Sequence, residues 1–341
     1  MNRLTVFVIS EAIRPKRGKE LPSQPPVKSA PHYFEKSVPA QFLISEHSLQ
    51  INNKKVSLEI KSYHPDAILV VATMEIDDIF SSGALELKDK LLDVCYEYAK
   101  KNGAKEEPSE EYTIYQISGY KGDPEIFLEK YGGKIAGLLK SEKLELDEKE
   151  IEQTLSYQLK YAKDDLVIID WDGAFVFDPD GEIGEMVELF EIANYQLLRY
   201  RILDEDLDER MTKISKIIQA PPKKRWGWMP SKEVTEEFRE VIRLRSTAIS
   251  QFEALERNIK LIGDWYSARL YDFLSKKFRL DDWHKEVRDK LESLEDVYSI
   301  ASENLGMSRI QRLELLQIAG FFILQIGWFV LIILEFIYFT R

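Results

Sequence analysis

Hydrophobic and polar positions along this chain follow two different periods in turn, and in the last stretch they stop alternating. The first ten residues, MNRLTVFVIS, hold an apolar run of six before Glu11 and read as a strand, too short for a signal-peptide core. Between Gln41 and Pro179 short apolar runs alternate with amphipathic stretches, the pattern of a compact sheet-and-helix domain. Ser48–Ile51 and Val56–Ile60 flank Asn52-Asn53, a hairpin turn signal, and Ala67–Met74 is short enough for a buried strand. Asp77 and Asp78 open a helix expected to reach Asn102-Gly103. Tyr112–Ile117 reads as a strand, Pro124–Leu139 as a helix, and Tyr157–Phe177 as two or three more strands. The expected product is a mixed sheet with helices on one face.

From Glu182 the period lengthens to about 3.5 residues, and strand signals vanish. A first helix carries Met186, Phe190, Ala193, Leu197, Tyr200, Leu203, Leu207, Met211, Ile214 and Ile218 on one stripe and ends before Pro221-Pro222. A second, from Ser231 to Phe278, steps by three and four through Phe238, Val241, Arg245, Ala248, Phe252, Leu255, Ile259, Ile262, Tyr266, Arg269 and Phe273. That spacing predicts a coiled coil or long bundle. A third starts at Asp281-Asp282, uses Trp283, Val287, Leu291, Leu294, Tyr298 and Ala301, and is expected to run toward the C-terminus with Gly306 as its weak point.

The final stretch, Leu315–Phe339, is almost wholly apolar. As a helix at ~1.5 Å per residue it is long enough to cross a hydrocarbon core of about 30 Å. Arg309 and Arg312 precede it and Arg341 follows, a small bias that places the N-terminal bulk in the cytoplasm. The chain is therefore expected to be α+β with four parts. These are an N-terminal strand and Pro-rich basic linker over 1–40, an α/β sheet domain over 41–181, a long-helix stalk over 182–312 and a single transmembrane anchor over 313–341.

Composition narrows the function classes. A net charge of −12 over 341 residues argues against nucleic acid as the main partner, since phosphate binding draws on clustered Lys and Arg. One cysteine, Cys95, and four scattered histidines form no internal disulfide and no Cys/His metal spacing, consistent with a reducing compartment. Arg14–Pro39, with six prolines and excess basic residues, reads as a solvated connector.

Candidate chemistry is sparse. Leu166-Val-Ile-Ile-Asp170-Trp-Asp172-Gly173-Ala resembles the nucleophile signature of haloacid-dehalogenase-type phosphatases. There the first Asp attacks phosphorus, the second protonates the leaving group and Mg²⁺ balances the charge. Ala174 stands where that signature has Thr, and the competing reading is an Asp-Gly type I′ turn between two strands. Asp178, Asp180, Glu182 and Glu185 lack EF-hand spacing and suit a helix N-terminus instead. Pro221–Pro230, with two Trp and three basic residues, fits a hairpin tip or a bilayer interface. No Gly-rich phosphate loop or Ser/His/Asp set appears, so no cofactor is implied. Within the apolar run, Gln317, Gly320, Leu324, Gly327, Leu331 and Glu335 fall within about 80° at 100° per residue. Small and polar residues sharing a face predict self-association or a membrane-protein partner; the competing reading has Gln317 and Glu335 marking the two interfaces.

The terminal layout, with Lys290-Leu-Glu-Ser-Leu-Glu-Asp296-Val-Tyr-Ser-Ile300 leading into the span, resembles the required-for-meiotic-nuclear-division family. Its members end in a helical hairpin and one transmembrane helix, and the mitochondrial ones are linked to organellar protein synthesis. Leu197-Leu-Arg-Tyr-Arg201 with Leu203-Asp-Glu-Asp-Leu207 looks like a segment of prokaryotic membrane-anchored proteins. The layout is also similar to CorA-type magnesium channels, but their Gly-Met-Asn motif is absent, Gly306-Met307-Ser308 standing before the span. The expectation is a membrane-anchored, homo-oligomeric scaffold, without chemistry of its own. Divalent-cation transport and a phosphatase using Asp170 and Asp172 are the alternatives.

Overall fold

The computed structural model describes residues 2–13, 15–21, 40–64, 66–81, 83–219 and 265–339, together with five isolated positions between 236 and 250. Nine strands form one sheet: β1 (Asn2–Ala12), β2 (Lys19–Glu20), β3 (Gln41–Ile51), β4 (Lys54–Tyr63), β5 (Ala67–Ile76), β6 (Ala104–Ile117), β7 (Gln158–Leu159), β8 (Leu166–Ile169) and β9 (Gly173–Phe177). Their order is β2-β3-β4-β5-β1-β6-β9-β8-β7, antiparallel throughout except for the β6–β9 pair. The N-terminal strand β1 therefore lies inside the sheet, between β5 and β6. This places β1 within the fold instead of ahead of it, and β2 gives the described start of the expected linker a strand of its own.

Local chemistry explains the hairpins. Asn52 and Asn53 join β3 to β4 with φ of 51° and 63°, the left-handed pair that a two-residue type I′ loop requires and that Asn tolerates. The helix foreseen at Asp77 starts later, as α1 (Gly83–Lys101). Asp78 instead accepts the Phe80 amide at 3.0 Å, closing an Asx turn before the helix. Helices α2 (Glu125–Leu139) and α3 (Glu148–Ser156) follow, the latter capped by Asp147 accepting the Lys149 amide at 3.0 Å.

Helices cover both faces of the sheet, where one was expected. Leu4, Val6 and Val8 of β1 point into a core with Leu91, Leu92 and Cys95 of α1. The alternate residues face α4 (Gly184–Gln219): Tyr112 packs at a tilt between Phe7 at 5.7 Å and Phe190 at 5.4 Å. Phe278, between α5 (Trp265–Lys277) and α6 (Leu280–Phe339), meets the same Tyr112 edge-on at 5.7 Å. Covering on both faces is why β8 and β9 are buried at every position and read as unbroken apolar runs.

The chain divides into two compact units, residues 1–205 with 247–287 and residues 206–246 with 288–341. The boundary expected at 181/182 falls inside the first, because the first half of α4 packs on the sheet. In the second, Leu207, Leu291 and Leu294 are buried and Lys290 pairs with Asp208 at 2.8 Å. Most of the heptad run proposed for the stalk, together with Pro221–Pro230, lies outside the described residues. Where α5 is described, the buried set is Tyr266, Ser267, Leu270, Tyr271, Leu274 and then Phe278, while Phe273 is half-buried and Arg269 is exposed with its guanidinium 5.3 Å from the Trp265 ring. Of the heptad positions described here, Tyr266 is therefore inward, Phe273 lies at the edge of the buried face and Arg269 lies off it.

Helix α6 is continuous over 60 residues, through Gly306. Its last 24, Leu316–Phe339, are long and apolar enough to cross a membrane, and every side chain among them is exposed. Gln317, Gly320, Leu324, Gly327, Leu331 and Glu335 are among them, with nothing within 4 Å of a Cβ built on either glycine.

Candidate functional site

The Asp170 motif is the first place to look, and its geometry is that of an anchor. Trp171 and Asp172 form the two-residue loop of the β8–β9 hairpin, closed by the Asp170 amide donating to the Gly173 carbonyl at 2.8 Å. None of Trp171, Asp172 and Gly173 has positive φ, so the hairpin foreseen is present but its turn is not type I′. Gly173 is required for another reason: a Cβ there would lie 2.6 Å from the Thr113 carbonyl oxygen on the parallel neighbour β6.

Asp170 is almost buried, with a side chain 6% exposed. Its Oδ1 is 2.7 Å from Lys277 Nζ and accepts the Trp171 amide at 2.7 Å. Lys140 stands 3.5 Å from Oδ2, an ion pair too long for a good hydrogen bond. The Asp170 carbonyl accepts from Tyr112 at 3.2 Å. Burial, then the charges of Asp170 and Asp172, hold the Tyr112 hydroxyl well above its usual pKa. Asp172, outside this clasp, is raised chiefly by desolvation, against the pull of Lys88. A nearly buried carboxylate flanked by two ammonium groups ties the hairpin to the end of α2 and to α5. Asp178 is likewise occupied, Oδ1 accepting the Gly181 amide at 2.6 Å, and Glu185 accepts from the Ser267 hydroxyl at 2.6 Å. Among the described residues no three His, Cys, Asp or Glu side chains converge as a metal-ligand set.

A second constellation escaped sequence reasoning. Glu191 on α4 is 1% exposed, yet its Oε1 meets Lys61 Nζ at 3.0 Å and its Oε2 accepts the Tyr63 hydroxyl at 2.7 Å. One turn earlier, Glu188 accepts from Gln41 at 2.9 Å. Burial alone would lower Lys61, but Glu191, with Glu59 and Glu188 behind it, outweighs that and raises it. Tyr63 is pushed up by desolvation and then by Glu191.

This network forms one wall of a polar cleft of about 550 Å³ on the α4 face of the sheet, within the size range of small-molecule pockets. The strand register explains the opening. Thr5, Thr73 and Ser57 lie in one cross-strand row, and Arg3 sits between Glu75 and Gln116 in the next. Further along β1, Phe7 is fully buried against Tyr112, which meets Phe190 of α4. A second cleft of about 530 Å³ shares Arg3, Ser57 and Thr73 and extends toward Lys54 and Lys55.

Comparison with known proteins assigns the floor of this cleft. Residues 3–183 match the family described as "Uncharacterized protein MJ0711, N-terminal domain". The chain belongs to the MJ0711 N-terminal-domain family. A relative from Methanocaldococcus jannaschii, "Uncharacterized protein MJ0711", is 29% identical over 273 residues, 80% of this chain and 80% of that protein. No solved structure matches. The MJ0711-type domain thus takes in the whole sheet, the Asp170 hairpin and every strand residue of the cleft, while α4 supplies the wall of Glu188 and Glu191. A signal for this site was present in the strands. The run Val56-Ser-Leu-Glu-Ile-Lys61 alternates strictly, which marks a face polar enough to need partners.

Proposed function

We propose that this chain is a single-pass membrane protein with its bulk on the cytoplasmic side, acting as an oligomeric scaffold whose last helix associates through Gln317, Gly320, Leu324, Gly327, Leu331 and Glu335. The observation that carries the reading is the continuity of α6. One unbroken helix passes from the folded part into a 24-residue apolar segment exposed around its whole circumference. Such a surface is unstable in water and stable in lipid, where a helix satisfies its own backbone groups. The lone buried Cys95 and the basic pair Arg309 and Arg312 ahead of the segment support the cytoplasmic side. The heptads of residues 231–278 would extend the association interface along the stalk.

Two measurements test this. The intact chain is expected in the membrane pellet after alkaline carbonate washing; release into the supernatant overturns the anchor. Native mass in mild detergent is expected to fall when Gly320→Leu and Gly327→Leu are combined, since bulk on the small face keeps helices apart. A monomer in both proteins overturns the assembly.

A further inference from the structure

The two adjoining clefts make one groove with opposite ends. Where they meet, Arg3, Ser57 and Thr73 are shared, and Lys55 stands on the outer side. Among the described residues neither Arg3 nor Lys55 makes an ion pair. Lys54, by contrast, is already held by Asp77 at 2.6 Å. The outer end therefore carries three cations against two carboxylates, Asp77 held by Lys54 and Glu75 across the strand from Arg3. The one positive charge in excess, with two hydroxyls beside Arg3 and Lys55, makes a donor set that a phosphate monoester accepts from. At the inner end Glu59 and Glu188 line the cleft with acceptor oxygens, and Lys61, the cation there, is engaged with Glu191 at 3.0 Å. Carboxylates of this kind accept hydroxyl donors, and a second anionic group at that end would be repelled. Among the described residues, aromatic side chains, on which a nucleobase could stack, do not line either cleft.

We infer that this groove of the MJ0711-type domain binds a phosphorylated polyol, its phosphate on Arg3 and Lys55 with Ser57 and Thr73, its hydroxyls on Glu59 and Glu188. The chemistry is shared by free sugar phosphates and by phosphoinositol lipid headgroups. The proposal does not depend on the membrane reading, because the described groove residues lie in the sheet, its adjoining loops and the start of α4.

Calorimetry on the full chain in detergent tests it with inositol 1-phosphate, glucose 6-phosphate and glycerol 3-phosphate, against inositol and inorganic phosphate. Saturable binding of at least one ester, tighter than both controls, is expected. Arg3→Gln should weaken it at least tenfold and Lys55→Gln about threefold, with the thermal midpoint unchanged, as neither side chain pairs within the fold. Glu188→Gln should weaken the ester but not inorganic phosphate. Failure of all three esters to saturate, phosphate binding as tightly as the best ester, or Arg3→Gln binding like the parent each overturns the proposal. The source is read by competition. Displacement of inositol 1-phosphate by nanodiscs containing phosphatidylinositol, but not by phosphatidylcholine nanodiscs, identifies the headgroup; binding without that displacement identifies a soluble ligand.

Discussion

Two stretches of this chain are helices with a uniform environment around the axis, in opposite senses. From Glu191 to Leu198, α4 is buried at every position but Ile192, while Leu316–Phe339 of α6 is exposed at every position. The buried stretch is the more polar of the two. It carries Glu191, Asn194 and Gln196, each satisfied: by Lys61 and Tyr63, by the Phe190 carbonyl at 2.9 Å, and by the Tyr271 hydroxyl. The exposed stretch is apolar almost throughout. Burial inside a protein lets a helix keep polar groups because fixed partners replace water, whereas lipid offers none and admits few. The contrast distinguishes the two surroundings better than hydrophobicity alone.

Matched truncations break the comparison most sharply. Phe190→Ala removes a ring packed on Tyr112 and should cost about 3–5 kcal/mol, seen as a large drop in the urea midpoint of the sheet domain. Phe329→Ala deletes the same atoms from a ring with no protein around it, and should leave that midpoint unchanged. Equal destabilisation by the two would show that Leu316–Phe339 packs within the folded domain.

Charge gives the next test. Lys61→Met strands the buried Glu191 carboxylate and should cost roughly 3–5 kcal/mol, part of which returns in Lys61→Met/Glu191→Gln, where no charge is left without a partner. A loss that the second substitution does not relieve would mean that Lys61 acts through its packing. The counterpart in α6 is Leu324→Arg, expected to disfavour insertion by about 2.5–3.5 kcal/mol and to shift protein from membrane to soluble fractions with the domain still folded.

The sequence showed one of these helices plainly and half-concealed the other. Leu316–Phe339 is visible because its environment is uniform and its composition follows. In α4 the stripe through Phe190, Ala193, Leu197 and Tyr200 is legible, and all four are buried, but nothing in the pattern marks Glu191, Asn194 and Gln196 as buried too. Their partners lie far away in the chain, Lys61 and Tyr63 some 130 positions earlier, and periodicity carries no information on pairing at that distance. The same limit hid the second helical layer. The cleft was half-legible: Asn2-Arg-Leu-Thr-Val-Phe-Val-Ile9 alternates up to Val6 and then turns wholly apolar from Phe7, which is fully buried. At Asp170 the spacing left two readings open; the hairpin between β8 and β9 is present, and the two lysines that hold its carboxylate come from distant elements that periodicity could not show.

Alkaline pH offers the smallest and most selective contrast. Lys61 has a folded-state pKa raised by Glu191, so its contribution is complete below the unfolded value of about 10.4 and is lost as pH climbs through the higher folded one. Tyr63 acts in the same direction: its hydroxyl is held protonated in the fold, while the unfolded chain releases that proton from about pH 10. Urea midpoints of the sheet domain should therefore decline above about pH 10. The decline should be shallower in Lys61→Met, where Tyr63 and the other buried tyrosines, Tyr112 and Tyr195 among them, carry it. Membrane recovery of the intact chain rests on apolar side chains and should show no matching fall over that range. An equal pH slope in Lys61→Met and the parent would remove Lys61 from the account and leave the alkaline loss to tyrosine ionisation.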